Sequence, residues 1–280
     1  VNTSKTTEYF ARVVFMCAST MNSTAVLLNT RSSRFPNGLG NDSGELGHNL
    51  MDHHNGGGAT ASYSGFMDRY YRGRRSTSMY IPRFRNVDKR EEKFIRGYGY
   101  EVYTGRDTWT RGIDSADFGA DFKNEITRPG QWNLYTEGYG ETLPNHDNHI
   151  WLSPEKEDRW GIPRLNVSME YGDNEREMAK QMMTDVVEMM ESAGLENVKG
   201  FNHPVTPGSV IHEMGTARMG RDPKTSVLNA HNQIHTAPNV FVTDGSCMVS
   251  SPPQNPSLTY MALTARAANY AVEQLKSGAI

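Results

Sequence analysis

The stretch 239–276, "NVFVTDGSCMVSSPPQNPSLTYMALTARAANYAVEQLK", constrains the chain most, because it runs apolar strand, tight turn and long helix in that order. Val240, Phe241 and Val242 read as a strand whose carboxyl end is the turn Asp244-Gly245, and Pro256 sits in the first turn of the helix. Strand–turn–helix order belongs to layered α/β architectures. In open α/β sheets ligands collect beyond the carboxyl ends of strands, and helix amino termini offer free N–H groups and positive potential. Asp244-Gly245, Asn255 just ahead of the helix and His212 in "HEMGTARMG" therefore mark one expected ligand edge.

Bulk composition narrows the ligand. The 29 basic and 32 acidic residues nearly cancel and no Lys/Arg block stands out, so nucleic acid and an anionic membrane surface are poor partners and a small neutral molecule is a better one. No apolar run reaches the roughly 18 residues a bilayer span needs, and the chain reads as soluble. Val1-Asn2-Thr3 is not the n-region of a signal peptide, and no compartment is assigned from it. Cys17 and Cys247, the only cysteines, lack metal or redox spacing and are expected to be small buried apolar residues.

Along the chain, "EYFARVVFMCA" (8–18) reads as a strand, and "STMNSTAVLLNT" as the turn into a helix. "FPNGLGNDSGELGHNLMDHH" follows as a glycine-rich loop long enough to be functional. From about residue 56 to 202 aromatics interleave with Arg and Gly, including Tyr70, Tyr71, Tyr98, Tyr100, Tyr103 and Tyr135, as in a second, strand-rich domain inserted into the first. "NHIWLSPEKEDRWGIPRLNVSMEY" predicts two strands joined by a charged turn. "DNEREMAKQMMTDVVEMMESAG" predicts a helix with Met178, Met182, Val186, Met190 and Ala193 as its core stripe and Gly194 as its stop.

Several ordered motifs together resemble the carboxy-terminal portion of the glucose–methanol–choline flavin oxidoreductases, in particular the pyranose-oxidase-like and sugar-dehydrogenase branch. They are "HEMGTARMG" (212–220), "NVFVTDGSCMVSSPPQNPSLT" (239–259), "VVFMCASTMNSTAVLL" (13–28) and "GELGHNLMDHH" (44–54). The family's opening G-x-G-x-x-G is missing: "GLGNDSG" spaces its glycines differently and follows no strand. The likeness thus covers about half of a full enzyme, and it implies that a second polypeptide or further chain supplies the amino-terminal FAD-binding half.

What the resemblance implies is a mixed α/β chain with a partial Rossmann-like FAD-binding domain (1–55 and 203–280) and an inserted β-sheet substrate domain (56–202). It implies FAD as cofactor, a sugar or glycoside hydroxyl as substrate, and no membrane insertion; an oligomer is compatible with it. His212 is the expected general base and Asn255 its partner on the same hydroxyl. Gly215 and Thr216 are expected to admit the flavin ring, Asp244 and Gly245 to meet the phosphate or ribityl through backbone N–H, and Pro256, Ser257 and Leu258 to aim a helix end at the pyrimidine edge. Asn49, Asp52 and His53 are expected on the diphosphate side. A metal centre from His48, His53, His54, His146 and His149 is disfavoured by their spacing. A nicotinamide- or metal-dependent alcohol dehydrogenase is disfavoured by the missing motifs, and a non-catalytic partner subunit that binds no flavin is the remaining alternative.

Overall fold

A computed structural model describes residues 5–69, 78–90, 93–203, 205–208 and 211–280; Tyr70 and Tyr71 lie outside the described residues. The strands are β1 (Val14–Met16), β2 (His53–Tyr63), β3 (Met79–Ile81), β4 (Tyr98–Arg106), β5 (Trp132–Glu141), β6 (His149–Glu157), β7 (Pro163–Ser168), β8 (Glu196–Asn202), β9 (Gln233–Ile234) and β10 (Ala237–Val242). The helices are α1 (Thr20–Asn29), α2 (Gly119–Thr127), α3 (Asp173–Ser192) and α4 (Ser257–Ser277). The fold is mixed α/β.

The chain divides into two compact units, one of Val1–His53, Glu141–Tyr171 and Thr206–Ile280, the other of His54–Gly140 and Gly172–Val205. The sequence boundaries placed all of 56–202 together, whereas 141–171 packs with the first unit. The strand pair in that segment was legible, since β6 and β7 pair antiparallel as expected. Its allegiance was not, because that depends on contacts far away in sequence.

In the first unit β1 pairs in parallel with β10, which pairs antiparallel with β9. Only three residues of the expected strand 8–18 enter the sheet, and β1 lies at its edge. Leu27 and Leu28 of α1 meet Val240 and Val242 of β10, Met51, Met214 and Leu228 in one buried cluster. Cys247 is buried there, but Cys17 is exposed, contrary to the expectation for both thiols: it follows the edge strand, with its Sγ 3.2 Å from the Thr243 hydroxyl.

The second unit holds a five-stranded sheet ordered β3-β4-β5-β2-β8. Met178, Met182, Val186 and Met190, at helical spacing on α3, are buried in one cluster with Tyr98 and Tyr100 of β4. Ala193 departs from the expected stripe: it is the C-cap residue and exposed, because Gly194 at φ 74° has already turned the chain away. The helix approaches closely because Gly138 and Gly140 on β5 carry no Cβ; one added at either would come within 3 Å of Met182 or Met178. Met182→Ala is therefore expected to destabilise this unit by about 2–5 kcal/mol, the usual cost of emptying a buried Met site, read as a lowered urea midpoint.

Candidate active site

β10 delivers the chain to Asp244, which caps a single 3-10 turn over Gly245–Cys247; its carboxylate accepts from the Ser246 N–H at 3.0 Å and from Ser23 Oγ of α1. Those oxygens are thus occupied within the chain, and what the turn has left for a ligand is backbone. Further on, Pro256 is the N-cap residue of α4, one position earlier than its expected place inside the first turn. Asn255, Ser257 and Leu258 beside it are exposed, and Pro256 is buried.

The segment 211–219 threads between two others. Met51 and Met214 exchange both backbone hydrogen bonds, at 2.9 and 2.7 Å, Gly47 N–H reaches Thr216 O and Thr216 N–H reaches His48 O. On its other side Gly215, Ala217 and Met219 donate to the carbonyls of Gly245, Ser246 and Cys247. The "HNLMDHH" loop, "HEMGT" and "DGSC" are therefore bonded into one piece of backbone. Asn49, His212, Gly215 and Thr216 hold φ of 62°, 69°, 83° and 74° within it. A run of non-glycine residues in the left-handed region costs free energy, and such residues cluster at functional sites.

Gly215, expected to admit the flavin ring, needs its missing side chain on a second ground as well. A Cβ there would sit 2.0 Å from the Asn49 carbonyl oxygen, so the glycine is required first by the crossing strand.

His212 and His53 meet edge to face, with Nδ1 atoms 2.9 Å apart and rings 76° to each other. His53 Nε2 lies 2.6 Å from Pro252 O, and the Gln254 backbone also bonds this ring. One imidazole thus joins His212 to the segment that leads into Asn255. His53 was expected to face the cofactor diphosphate; its two ring nitrogens are instead committed to His212 and to the backbone before α4.

Asp52, expected on the same side, is fully buried and accepts from Gly208 N–H at 3.0 Å, Tyr171 hydroxyl at 2.9 Å and Thr142 hydroxyl at 3.4 Å. It organises the loop.

Burial sets opposite protonation costs on these neighbours. Desolvation pushes Asp52 up to about 6 against its hydrogen bonds, and pushes His53 down to about 4, helped by the charge of His212. For His53 the unfolded chain binds more protons between its folded value of about 4 and its ordinary 6.5, so its contribution to stability rises with pH across that window. For Asp52 the folded chain binds more protons between 3.8 and about 6, so its contribution falls with pH there. The two nearly cancel. His53→Phe removes one of them, and the stability difference, wild type minus variant, is expected to grow by about 3 kcal/mol from pH 4 to 6.5. Denaturant midpoints across that range check this, and parallel profiles would contradict it.

Asn49 Nδ2 and the Tyr260 hydroxyl, both beside this site, are among the buried polar atoms that have no hydrogen-bond partner within the described residues. Asn49 adjoins Gly215, and the Tyr260 hydroxyl is 2.9 Å from where a Gly245 Cβ would be. Unpaired buried polar groups are costly, and such atoms beside the site fit a polar cofactor that accepts hydrogen bonds. A third group of residues was missed from sequence. Thr20, Ser23 and Thr24 of α1 bond the Glu213 carbonyl, Asp244 and the Thr216 hydroxyl. Their signal was available as hydroxyls at i, i+3 and i+4 on one helix face.

The remaining histidines do something else. His48 stacks on His146 and His149, and His149 on Trp151, as a ladder of rings, with His48 Nδ1 on the His146 carbonyl. His54 is buried in the second unit and held below its ordinary value by desolvation. Among the described residues no group of three or more His, Cys, Asp or Glu converges on a metal position. No helix among them is long and apolar enough to cross a membrane. The second unit has its own groove of about 610 Å³, open to solvent, where Tyr103 and Tyr135 stand among Gln131, Asn133, Asn197 and Lys199.

The chain is 30% identical over 272 residues to the 2-methyl-1,2-propanediol dehydrogenase of Mycolicibacterium austroafricanum, spanning 94% of this chain and 48% of that protein. It is 28% identical to the fructose dehydrogenase large subunit of Gluconobacter japonicus, over 96% of this chain and 48% of that one. It spans about half the length of these relatives. Its fold is similar to that of the formate oxidase of Aspergillus oryzae RIB40, with a TM-score of 0.61 at 14% identity over 95% of this chain and 55% of that one. Residues 144–264, which include His212 and Asn255, match the family model described as GMC oxidoreductase, and over that range the chain carries the carboxy-terminal domain of that family.

Proposed function

We propose that this chain contributes the base-bearing half of an FAD-dependent oxidoreductase that oxidises a hydroxyl of a sugar or glycoside. One observation carries the reading: a single buried imidazole, His53, ties His212 to the backbone that runs into Asn255 and α4. Oxidising an alcohol takes a proton from oxygen and a hydride from carbon. When bound, FAD supplies the hydride acceptor. His212 accepts the hydroxyl proton, since an imidazole titrates near neutrality. The Asn255 carboxamide holds the same hydroxyl and orients it.

Gly215, Thr216, Asp244, Gly245 and the helix end at Pro256, Ser257 and Leu258 would hold the cofactor chiefly through backbone groups, with the Asn49 amide as an additional donor. Asp52 and His53 support these groups from behind. The first unit is read as the flavin portion and the second, with its aromatic groove, as the substrate portion. β1, an edge strand with Val14 and Phe15 more than one-third exposed, supports pairing with further strands from the rest of the enzyme, in the same or a second polypeptide.

A fructose dehydrogenase subunit among the relatives favours a sugar, and a propanediol dehydrogenase favours a second reading, a small diol. Anaerobic mixing of the FAD-loaded protein with fructose, a glycoside or 2-methyl-1,2-propanediol decides between them through bleaching of the visible flavin band. Bleaching by the sugars is the expected result. Bleaching by the diol alone would establish the second reading, and an assembly of this chain with the missing half of the enzyme that takes up no flavin would establish a non-catalytic partner subunit.

A further inference from the structure

We propose that His53 is a positioning residue: it accepts a hydrogen bond from His212 Nδ1–H and so fixes the basic lone pair of His212 on Nε2. The inference rests on the reading of His212 as base and adds the residue that makes it one. The Pro252 carbonyl can only accept, so His53 Nε2, 2.6 Å away, carries the hydrogen. A neutral imidazole has one N–H, and His53 Nδ1 is then a lone pair. It lies 2.9 Å from His212 Nδ1, and two lone pairs do not meet at that distance. His212 Nδ1 is therefore the donor, in the neutral ring and in the cation alike, and in the neutral ring the acceptor atom is Nε2.

Burial keeps His53 neutral, which preserves its acceptor at physiological pH. The backbone is locked along with the rings. His53 N–H bonds the Ile211 carbonyl at 3.3 Å, and the buried Asp52 carboxylate anchors the preceding residue. When the substrate hydroxyl gives its proton to His212 Nε2, the hydride leaving with its electron pair for FAD, the bond to His53 stays in place. The ring does not turn. A base held by a second group in the correct tautomer is the arrangement of the serine-protease triad, except that the orienting group here is uncharged.

Ring-nitrogen NMR of 15N-histidine-labelled protein, with His212 assigned by its loss in His212→Ala, tests this without turnover. The expected result is Nδ1–H for His212 and Nε2–H for His53. An Nε2–H tautomer at His212 in the wild-type protein overturns the proposal whatever the variants do. His53→Phe is expected to release His212 from the single tautomer and, in the FAD-loaded protein, to slow flavin reduction by about 10–10³-fold, between the loss of an outer-shell group and that of a triad orienter. His53→Asn, whose Oδ1 replaces the acceptor, is expected to restore both the tautomer and most of the rate; a rate as low as that of His53→Phe with the tautomer restored would overturn the link to the base. Should His212 show the expected tautomer while His212→Ala reduces flavin at the wild-type rate, the function reading fails and the tautomer assignment stands.

Discussion

His212→Ala slows flavin reduction by sugar about 10²–10⁴-fold, the scale of a lost general base. Alanine removes the only imidazole that His53 orients and leaves the substrate hydroxyl without an acceptor for its proton. The backbone frame of the site does not depend on that ring, because 214–219 is held by its own bonds to 47–51 and 245–247. The variant is therefore expected to fold and to keep flavin, and the loss to fall on the reduction step. Stopped-flow single turnover measures it, and flavin reduction at the wild-type rate would remove His212 from the chemistry.

Gly215→Ala acts on the frame itself. The new methyl meets the Asn49 carbonyl oxygen at 2.0 Å and the residue must hold φ 83°. Left-handed strain of about 1–2 kcal/mol and overpacking of about 1–3 kcal/mol together give roughly 2–5 kcal/mol. Gly44→Ala is the matched control, since Gly44 has φ 82° but nothing within 4 Å of its would-be Cβ. It is expected to lose only the strain. Unfolding midpoints compare the two, and equal losses would place the cost in φ alone and contradict the close crossing of 49 over 215.

The methionine stripe of α3, the β6–β7 pair and the strand–turn–helix from β10 to α4 were legible in sequence because local periodicity and turn residues define them. The allegiance of 141–171, the exposure of Cys17 and the commitment of Asp52 and His53 to protein partners were not. Each is decided by contacts across much of the chain, such as Asp52 with Tyr171 or His53 with Pro252. The motifs marked 44–54, 212–220 and 239–259, segments that backbone hydrogen bonds join, and left open which atoms within them are already occupied. Thr20, Ser23 and Thr24 show the converse, a one-face hydroxyl pattern that was readable and passed over.

The pH dependence of the flavin-reduction rate constant, wild type beside His212→Ala, tests the assignment of the base most directly. The expected wild-type rate rises with pH through one ionisation that the variant lacks, because only the unprotonated imidazole accepts the hydroxyl proton. The same ionisation in both proteins would show that the proton goes elsewhere.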